Sequence, residues 1–359
     1  MGEKNINTCM NLLEPCSGQL PFLGSVPLLD VDKLALEFRT RGGTVHALEN
    51  VSFHVNTGEI VGIVGESGSG KSVLAHALLR ILDSAGRVTA GRAIFDGVDV
   101  LAARESDLRS IRGRKIAMIF QNPRAALNPI RKIGRQIEDV LLRHDSHRVG
   151  STRRWGTNTP RRDIKERALA CLAQVRIPDA ARRYHAYPFE LSGGQCQRVM
   201  IALAIAAEPA LLIADEPTTG LDVTTQAVVM ELIRDLVRRK HMAAILITHD
   251  LALASESCDR IVVMHAGHVV ETAPTRALFD APRHPYTARL IGATPHECVD
   301  VRALASIPGA LPDLRATRLP PCRFSARCDR YTVTCDQALP MSTITPQHSV
   351  ACWSPLNVA

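Results

Sequence analysis

The chain has 359 residues, of which 46% are hydrophobic and 22% are charged, so its composition is that of an ordinary globular protein. Aromatic residues make up only 4%, which argues against a surface that stacks nucleic-acid bases, and the net charge of +7 is mild. No apolar run reaches the length of about 18 residues that a membrane span needs, and the amino terminus lacks the layout of a signal peptide. We therefore expect a protein that stays in the cytoplasm.

Strands and helices alternate along the sequence, which predicts an α/β protein with right-handed βαβ units. Residues 1–27 are rich in Gly, Pro and Asn and are predicted to form an extension with little regular structure. The expected strands cover residues 28–38, 46–55, 60–64, 116–120, 210–214, 243–248 and 260–264. The expected helices cover residues 164–175, 194–207 and 225–239.

A polar, arginine-rich stretch occupies residues 145–162, just before the first of these helices. Runs of charge of this kind are usually solvated, and the stretch is predicted to be a surface insertion. The alternative is a contact with anionic lipid around Trp155.

A complete phosphate-binding pattern, G-x-x-x-x-G-K-[ST], follows the strand predicted at 60–64 and precedes an apolar helical run. Its members are Gly65, Glu66, Ser67, Gly68, Ser69, Gly70, Lys71 and Ser72. The glycines let successive N–H groups turn toward phosphate oxygens, and the helix adds the positive end of its dipole. We expect Lys71 to contact the β- and γ-phosphates and Ser72 to contact Mg²⁺.

Two adjacent carboxylates, Asp215 and Glu216, end the strand predicted at 210–214. Neighbouring residues of a strand point in opposite directions, so the two side chains have different roles. We expect Asp215 to hold Mg²⁺ and Glu216 to orient and deprotonate an attacking water. His249 follows another strand at its carboxyl end, where it can contact the γ-phosphate; the alternative is an ordinary surface or core histidine.

A second phosphate-binding helix start is predicted where Ser192, Gly193, Gly194 and Gln195 open the helix near residue 194. The alternative is an ordinary serine-capped helix. Two phosphate-binding loops of one fold cannot share a γ-phosphate unless two chains face each other. We therefore expect a composite site between two subunits.

Together these motifs, in this order, resemble the ATP-binding subunit of an ABC transporter over about residues 28–275. The resemblance implies a P-loop NTPase fold of the ABC ATPase type, with a RecA-like core, an antiparallel β subdomain and a helical subdomain at about 122–208. It implies one ABC ATPase domain over 28–280 and ATP with Mg²⁺ as the bound ligands.

The resemblance also implies roles for individual residues. Gln121 would reach Mg²⁺ and the attacking water, and Asp222 would belong to the D-loop beside the nucleotide. Phe38 would stack on adenine, although its pattern alone favours a core strand residue. The helix start at 192–195 would grip the γ-phosphate held by the partner ATPase, and the segment after Gln121 would help form the docking surface for a membrane subunit.

The remaining residues, 281–359, begin with a Pro-Arg-His-Pro-Tyr-Thr run that resembles the tail of dipeptide and oligopeptide importer ATPases. Four cysteines follow in a stretch of little regular pattern: Cys322, Cys328, Cys335 and Cys352. Thiols gathered in such a tail suggest a metal-organised lobe, whose spacing fits a [4Fe–4S] cluster better than zinc, with free thiols as a third alternative. Arg323, Arg327 and Arg330 are expected to offset the negative charge of a cluster.

The function that the resemblance implies is ATP hydrolysis that powers uptake of dipeptides or oligopeptides. The implied partners are a second ATPase subunit in a heterodimer, two permease subunits and an extracytoplasmic binding protein, with no nucleic acid. The implied location is the cytoplasmic face of the inner membrane. Two alternatives remain open: another cargo, such as an antimicrobial peptide, nickel, haem or glutathione, and a soluble ABC ATPase that acts on nucleic acid or ribosomes.

Overall fold

A computed structural model describes residues 26–145, 161–294 and 307–357. The predictions for the amino-terminal extension and for the arginine-rich insertion around Trp155 fall almost wholly outside these ranges. The strands, numbered in chain order, are β1 (Leu29–Thr40), β2 (Gly43–Val55), β3 (Ile60–Val64), β4 (Gly86–Phe95), β5 (Val98–Asp99), β6 (Ile116–Ile119), β7 (Leu211–Asp215), β8 (Ala243–Thr248), β9 (Arg260–His265), β10 (His268–Pro274), β11 (Ser342–Thr345) and β12 (His348–Val350).

Helices cover the sheets and fill the region between β6 and β7. They are α1 (Lys71–Leu78), α2 (Glu105–Ile111), α3 (Pro123–Ala126), α4 (Ile133–Asp145), α5 (Arg161–Gln174), α6 (Ala180–Arg183), α7 (Gly193–Ile205), α8 (Val223–Arg239), α9 (Leu251–Ser257), α10 (Thr275–Asp280) and α11 (Pro285–Gly292). Of these, α3 to α7 form the helical region predicted at about 122–208. None of the helices in the described ranges is long and apolar enough to cross a bilayer.

The larger sheet has eight strands in the order β11-β12-β10-β9-β3-β8-β7-β6. Its central strands, β9, β3, β8, β7 and β6, run parallel to one another, and every residue in them is buried. Helices on both faces explain the nearly continuous apolar sequence of these strands. The carboxyl ends of β3, β7 and β8 therefore meet at one edge of the sheet.

The five parallel strands were predicted to within one residue at each end. A second, antiparallel sheet has the order β2-β1-β4-β5 and packs over α1. Its strand β4 was missed because its first seven residues are largely exposed, so the sequence there has no apolar run. The strand β10 was also missed.

The carboxyl-terminal segment, residues 307–357 of the described chain, shares the sheet and the core of the preceding residues. Its hairpin of β11 and β12 extends the larger sheet, because β12 pairs antiparallel with β10. Phe324 of this segment is buried in the same apolar cluster as Tyr286 and the helices of the helical region. The tail predicted to have little core is thus packed against the rest of the molecule.

Candidate nucleotide site

The predicted phosphate-binding loop lies between β3 and α1, at the sheet edge where the parallel strands end. Gly65, Gly68 and Gly70 have positive φ angles of 151°, 81° and 99°, a region that favours glycine. At Gly65 a β-carbon would lie 2.1 Å from the carbonyl oxygen of Met264, so a side chain does not fit. The loop therefore has the tight backbone that a phosphate cradle needs.

Lys71 is 5% exposed and its ammonium group points back into this loop. Its Nζ donates to the carbonyl oxygens of Gly65 at 2.8 Å and Glu66 at 2.9 Å. Burial lowers the pKa of Lys71, while the carboxylates of Glu216 and Asp215 act in the opposite direction. A phosphate placed in the loop would offer this buried cation a charged partner in place of two carbonyls.

Ser72 and Asp215 are brought together from α1 and from the end of β7. The Ser72 hydroxyl donates to Asp215 Oδ1 at 2.9 Å, and Asp215 is buried. Burial raises the pKa of Asp215, and the hydrogen bond from Ser72 opposes this shift. A hydroxyl and a carboxylate in contact are oxygen donors of the kind that Mg²⁺ prefers, so the two residues fit the predicted magnesium site.

Glu216 is surrounded by three hydrogen-bonding side chains. Its Oε2 accepts from Gln121 Nε2 at 2.7 Å and from the Thr219 hydroxyl at 2.9 Å, and its Oε1 lies 3.3 Å from His249 Nδ1. Burial acts to raise the pKa of Glu216, but the hydrogen bonds with Thr219 and His249 outweigh it, and the pKa lies below its usual value. Glu216 is therefore ionised at neutral pH.

Thr219 was missed by the sequence reasoning, since a threonine in the loop after β7 has no distinctive pattern. Gln121 was predicted to reach both Mg²⁺ and the attacking water. In this structure its side-chain amide donates a hydrogen bond to Glu216. At this sheet edge the predicted residues form a hydrogen-bonded pair, Ser72 and Asp215, and a cluster on Glu216 that contains Gln121 and His249. Lys71 belongs to neither group and points back into the phosphate-binding loop.

The signature segment, residues 192–195 at the start of α7, packs against Leu221 and Thr225 of the same chain. Ser192 caps the helix by accepting from the backbone N–H of Gln195 at 3.3 Å, and Gln195 Oε1 accepts from Ser192 N–H at 3.1 Å. A β-carbon on Gly193 would contact Leu221, and one on Gly194 would lie 2.7 Å from Thr225. The two glycines thus let α7 approach the D-loop of the same chain.

Asp222 and Phe38, two further predicted nucleotide contacts, have structural partners in this chain. Asp222 caps α8, where its carboxylate accepts from the backbone N–H and the hydroxyl of Thr225. Phe38 is half-buried in β1 and its ring covers Gly86 on the neighbouring strand β4. Both residues keep their nucleotide roles as predictions.

The four cysteines of the carboxyl-terminal segment line one small, mostly apolar cavity together with His284 and Arg330. Burial raises the pKa of Cys322 to about 11, so a free thiol there stays protonated at neutral pH. Within residues 26–145, 161–294 and 307–357, no three side chains of the metal-binding types form a group that could hold a metal ion. The four thiols thus line one cavity but do not form a metal-binding group in these ranges, and the iron–sulfur cluster stays a prediction.

The expectation for the arginines beside these cysteines is wrong for two of the three. Arg323 donates to Glu49 of β2 and to the carbonyl oxygen of Ala266, and Arg327 donates to Glu66 of the phosphate-binding loop. The guanidinium groups of Arg323 and Arg327 are buried and are held by these two carboxylates, of which Glu49 is exposed and Glu66 is partly buried. Only Arg330 lines the cysteine cavity.

Comparisons with known proteins agree with this geometry. Residues 48–219 match the ABC transporter family, and residues 270–335 match the family described as the oligopeptide/dipeptide transporter C-terminal region. The dipeptide transport ATP-binding protein DppD of Escherichia coli is 44% identical over 333 residues, covering 92% of this chain and 98% of DppD. This chain belongs to the ABC transporter ATPases.

Other members of this ATPase family extend the comparison. A peptide import ATP-binding protein of Brucella abortus is 46% identical over 330 residues, covering 92% of this chain and 96% of that protein. The ATP-binding cassette MJ0796, solved as a dimer in a post-hydrolysis state with ADP and phosphate, superposes with a TM-score of 0.59 at 27% identity. That alignment covers 69% of this chain and 99% of the cassette. The predicted ABC ATPase fold is therefore confirmed, while the cysteine-containing carboxyl-terminal lobe stays a prediction.

Proposed function

We propose that this ABC ATPase hydrolyses ATP to power the uptake of dipeptides or oligopeptides. The observation that carries the ATPase assignment is the cluster on Glu216, which lies at the same sheet edge as Lys71 and the Ser72–Asp215 pair. The cargo is inferred from relatives that are named for peptide import and dipeptide transport, and from the match of residues 270–335.

In the proposed reaction, Glu216 accepts a proton from the water that attacks the γ-phosphate. Its lowered pKa keeps the carboxylate ionised, and Gln121, Thr219 and His249 hold it in place. Lys71 leaves the carbonyl oxygens of the loop and pairs with the β- and γ-phosphates. Ser72 and Asp215 would hold magnesium, which neutralises phosphate charge when it is bound.

The proposed active unit is a pair of ATPase subunits. Ser192 and the glycines after it start a helix whose N–H groups can bind the γ-phosphate held by the partner subunit. The resemblance favours a heterodimer with a second ABC ATPase, joined to two permease subunits and supplied by an extracytoplasmic binding protein. Such a complex would hold this chain at the cytoplasmic face of the inner membrane.

Substitution of the proposed base tests the reaction. Glu216→Gln keeps the size and hydrogen bonding of the side chain, so ATP binding persists while hydrolysis falls by about 10²–10⁴. The matched control is Glu231→Gln on α8, which removes a surface carboxylate that pairs with Arg176. Turnover of Glu216→Gln close to that of the control would overturn the assignment of the base.

The cargo requires a transport experiment of its own. Cells that depend on this transporter should take up a labelled dipeptide with the wild-type chain and lose uptake with Glu216→Gln. Uptake of nickel, haem or glutathione, with no effect of competing peptides, would overturn the peptide assignment and leave the ATPase assignment intact.

For the carboxyl-terminal cysteines we propose a [4Fe–4S] cluster bound by Cys322, Cys328, Cys335 and Cys352. Four cysteine sulfurs around one cavity suit either iron or zinc. A single zinc ion needs all four sulfurs close to one point, whereas each thiolate of a [4Fe–4S] cluster binds a different iron, so the cluster tolerates sulfurs that lie further apart. Protein purified without air should be brown, with iron and sulfide near four per chain, about the content of one cluster. Colourless protein with stoichiometric zinc, or with no metal, would exclude the cluster.

A further inference from the structure

We propose that Arg327 and Tyr286 position the phosphate-binding loop for ATP, so that the carboxyl-terminal region supplies part of the support of the nucleotide site. Both residues act through Glu66, the second residue of the loop, and touch no reacting atom. The inference rests on the proposed ATPase function, because the same loop binds the nucleotide.

Arg327 forms a bidentate ion pair with the carboxylate of Glu66. Its Nη1 and Nη2 donate to the two carboxylate oxygens of Glu66, each at 2.8 Å, and its Nε donates to the carbonyl oxygen of Pro308 at 2.8 Å. The guanidinium also lies over the ring of Phe324, 5.7 Å from its centroid. With its plane fixed on three sides, the guanidinium holds the carboxylate in one orientation.

Tyr286 holds the backbone of the same residue. Its hydroxyl accepts a hydrogen bond from the Glu66 N–H at 2.9 Å, and its side chain is fully buried. The ring packs against His265 and Phe324, with centroid distances of 4.4 Å and 5.3 Å. A tyrosine held by aromatic neighbours keeps its oxygen in place, so the amide of Glu66 is fixed as well as its carboxylate.

The orientation of Glu66 matters because its carbonyl oxygen accepts from Lys71 Nζ at 2.9 Å. Any rotation of the peptide at Glu66 changes where the lysine is held and where the N–H groups of the loop point. Leu311, in the segment that begins at residue 307, touches the loop too, since a β-carbon on Gly68 would lie 3.2 Å from its side chain. The loop is therefore supported from the carboxyl-terminal side at Glu66 and at Gly68.

This arrangement also explains why Arg327 lies in the cysteine segment. Its neighbour Cys328 lines the cysteine cavity, while Arg327 itself points away from the cavity toward the loop. The short turn of Ser325–Arg327 thus joins the two sites through one chain segment.

The test measures ATP affinity in the full-length protein. We expect Arg327→Gln to raise the Kd for MgATP about tenfold, and the KM in the assembled transporter by a similar factor, while kcat at saturating ATP changes by less than about threefold. Arg327→Lys keeps the charge but cannot form the bidentate pair, so its Kd for MgATP should lie between those of the wild type and Arg327→Gln.

The matched control is Arg260→Gln, which breaks another largely buried bidentate pair, with Glu59 at the other end of β3. It should lower thermal stability to a similar extent and leave the Kd for MgATP within about twofold of the wild type. If the Kd values of Arg327→Gln and Arg260→Gln rise equally, Arg327 has only a structural role and the inference is wrong.

A second, more conservative variant tests the inference even if Arg327→Gln does not fold. Tyr286→Phe removes only the hydroxyl that accepts from Glu66, and should raise the Kd for MgATP about threefold. An unchanged Kd there would also contradict the inference. Failure of the wild-type chain to bind MgATP would instead overturn the proposed ATPase function, so the two failures are distinguishable.

Discussion

Gly65 shows how strongly one residue of the phosphate-binding loop is constrained by its surroundings. Its φ of 151° lies in a region that only glycine adopts readily, and the carbonyl oxygen of Met264 occupies the place of a β-carbon. The pattern G-x-x-x-x-G-K-[ST] predicts a glycine here for reasons of phosphate binding. The structure adds a second reason, which is close packing against the end of β9.

We predict that Gly65→Ala costs about 2–4 kcal/mol of unfolding free energy and abolishes ATP binding, because the loop must move away from Met264. The control is Gly58→Ala, where φ is also positive at 74° but nothing lies within 4 Å of a β-carbon. That change should cost about 1–2 kcal/mol and spare ATP binding. Urea unfolding and an ATP-binding assay check both, and equal losses in the two variants would contradict the packing argument.

At the same scale, His249 was predicted from its position at a strand end and Gln121 from the family resemblance, while Thr219 was missed. What could not be predicted is which of them touch. Gln121 and His249 come from different loops, and Thr219 comes from the loop of Glu216 itself. Their meeting depends on the order of β6, β7 and β8 in the sheet, which a single sequence does not contain.

At the scale of elements, the fully buried parallel strands were the most predictable part of the chain. A short, continuous apolar run of four to six residues is typical of a buried parallel strand. The sequence therefore placed β3 and β8 at their observed bounds. The exposed strand β4 and the hairpin of β11 and β12 carry no such run. Pairing with a neighbouring strand makes them strands, and pairing is a tertiary property.

The helix α7 illustrates a motif whose local structure was predicted from the sequence, while its function stays a prediction. Ser192 and Gln195 form a reciprocal cap, which any helix of this sequence would make. The glycines between them allow contact with Leu221 and with Thr225 in the first turn of α8, and this contact could be seen only in the fold. The exposed cap is free to serve a second chain.

At the scale of the whole molecule, the composite site can be tested with Ser192→Asp. Aspartate caps a helix as well as serine does, so α7 should stay folded, but its charge would oppose the γ-phosphate of the partner subunit. We predict that the Kd of this chain for its own ATP stays within about twofold, while turnover of the assembled ATPase pair falls about a hundredfold or more.

Ser192→Asn is the control for this prediction, because asparagine also caps helices but carries no charge. It should retain most of the activity. A loss of ATP affinity by the isolated chain in Ser192→Asp would mean that the signature segment acts on the nucleotide of its own subunit, and the composite site would be wrong.

Local chemistry let the sequence alone predict the nucleotide motifs and the central strands. A glycine loop, a strand end and a helix cap each depend on residues close together in the chain, and their patterns survive without knowledge of the fold. The link between Glu66 and Arg327 joins residues 261 positions apart. Only the packing of the tail against the larger sheet brings them within hydrogen-bonding distance, because a buried ion pair needs a shared interior to form.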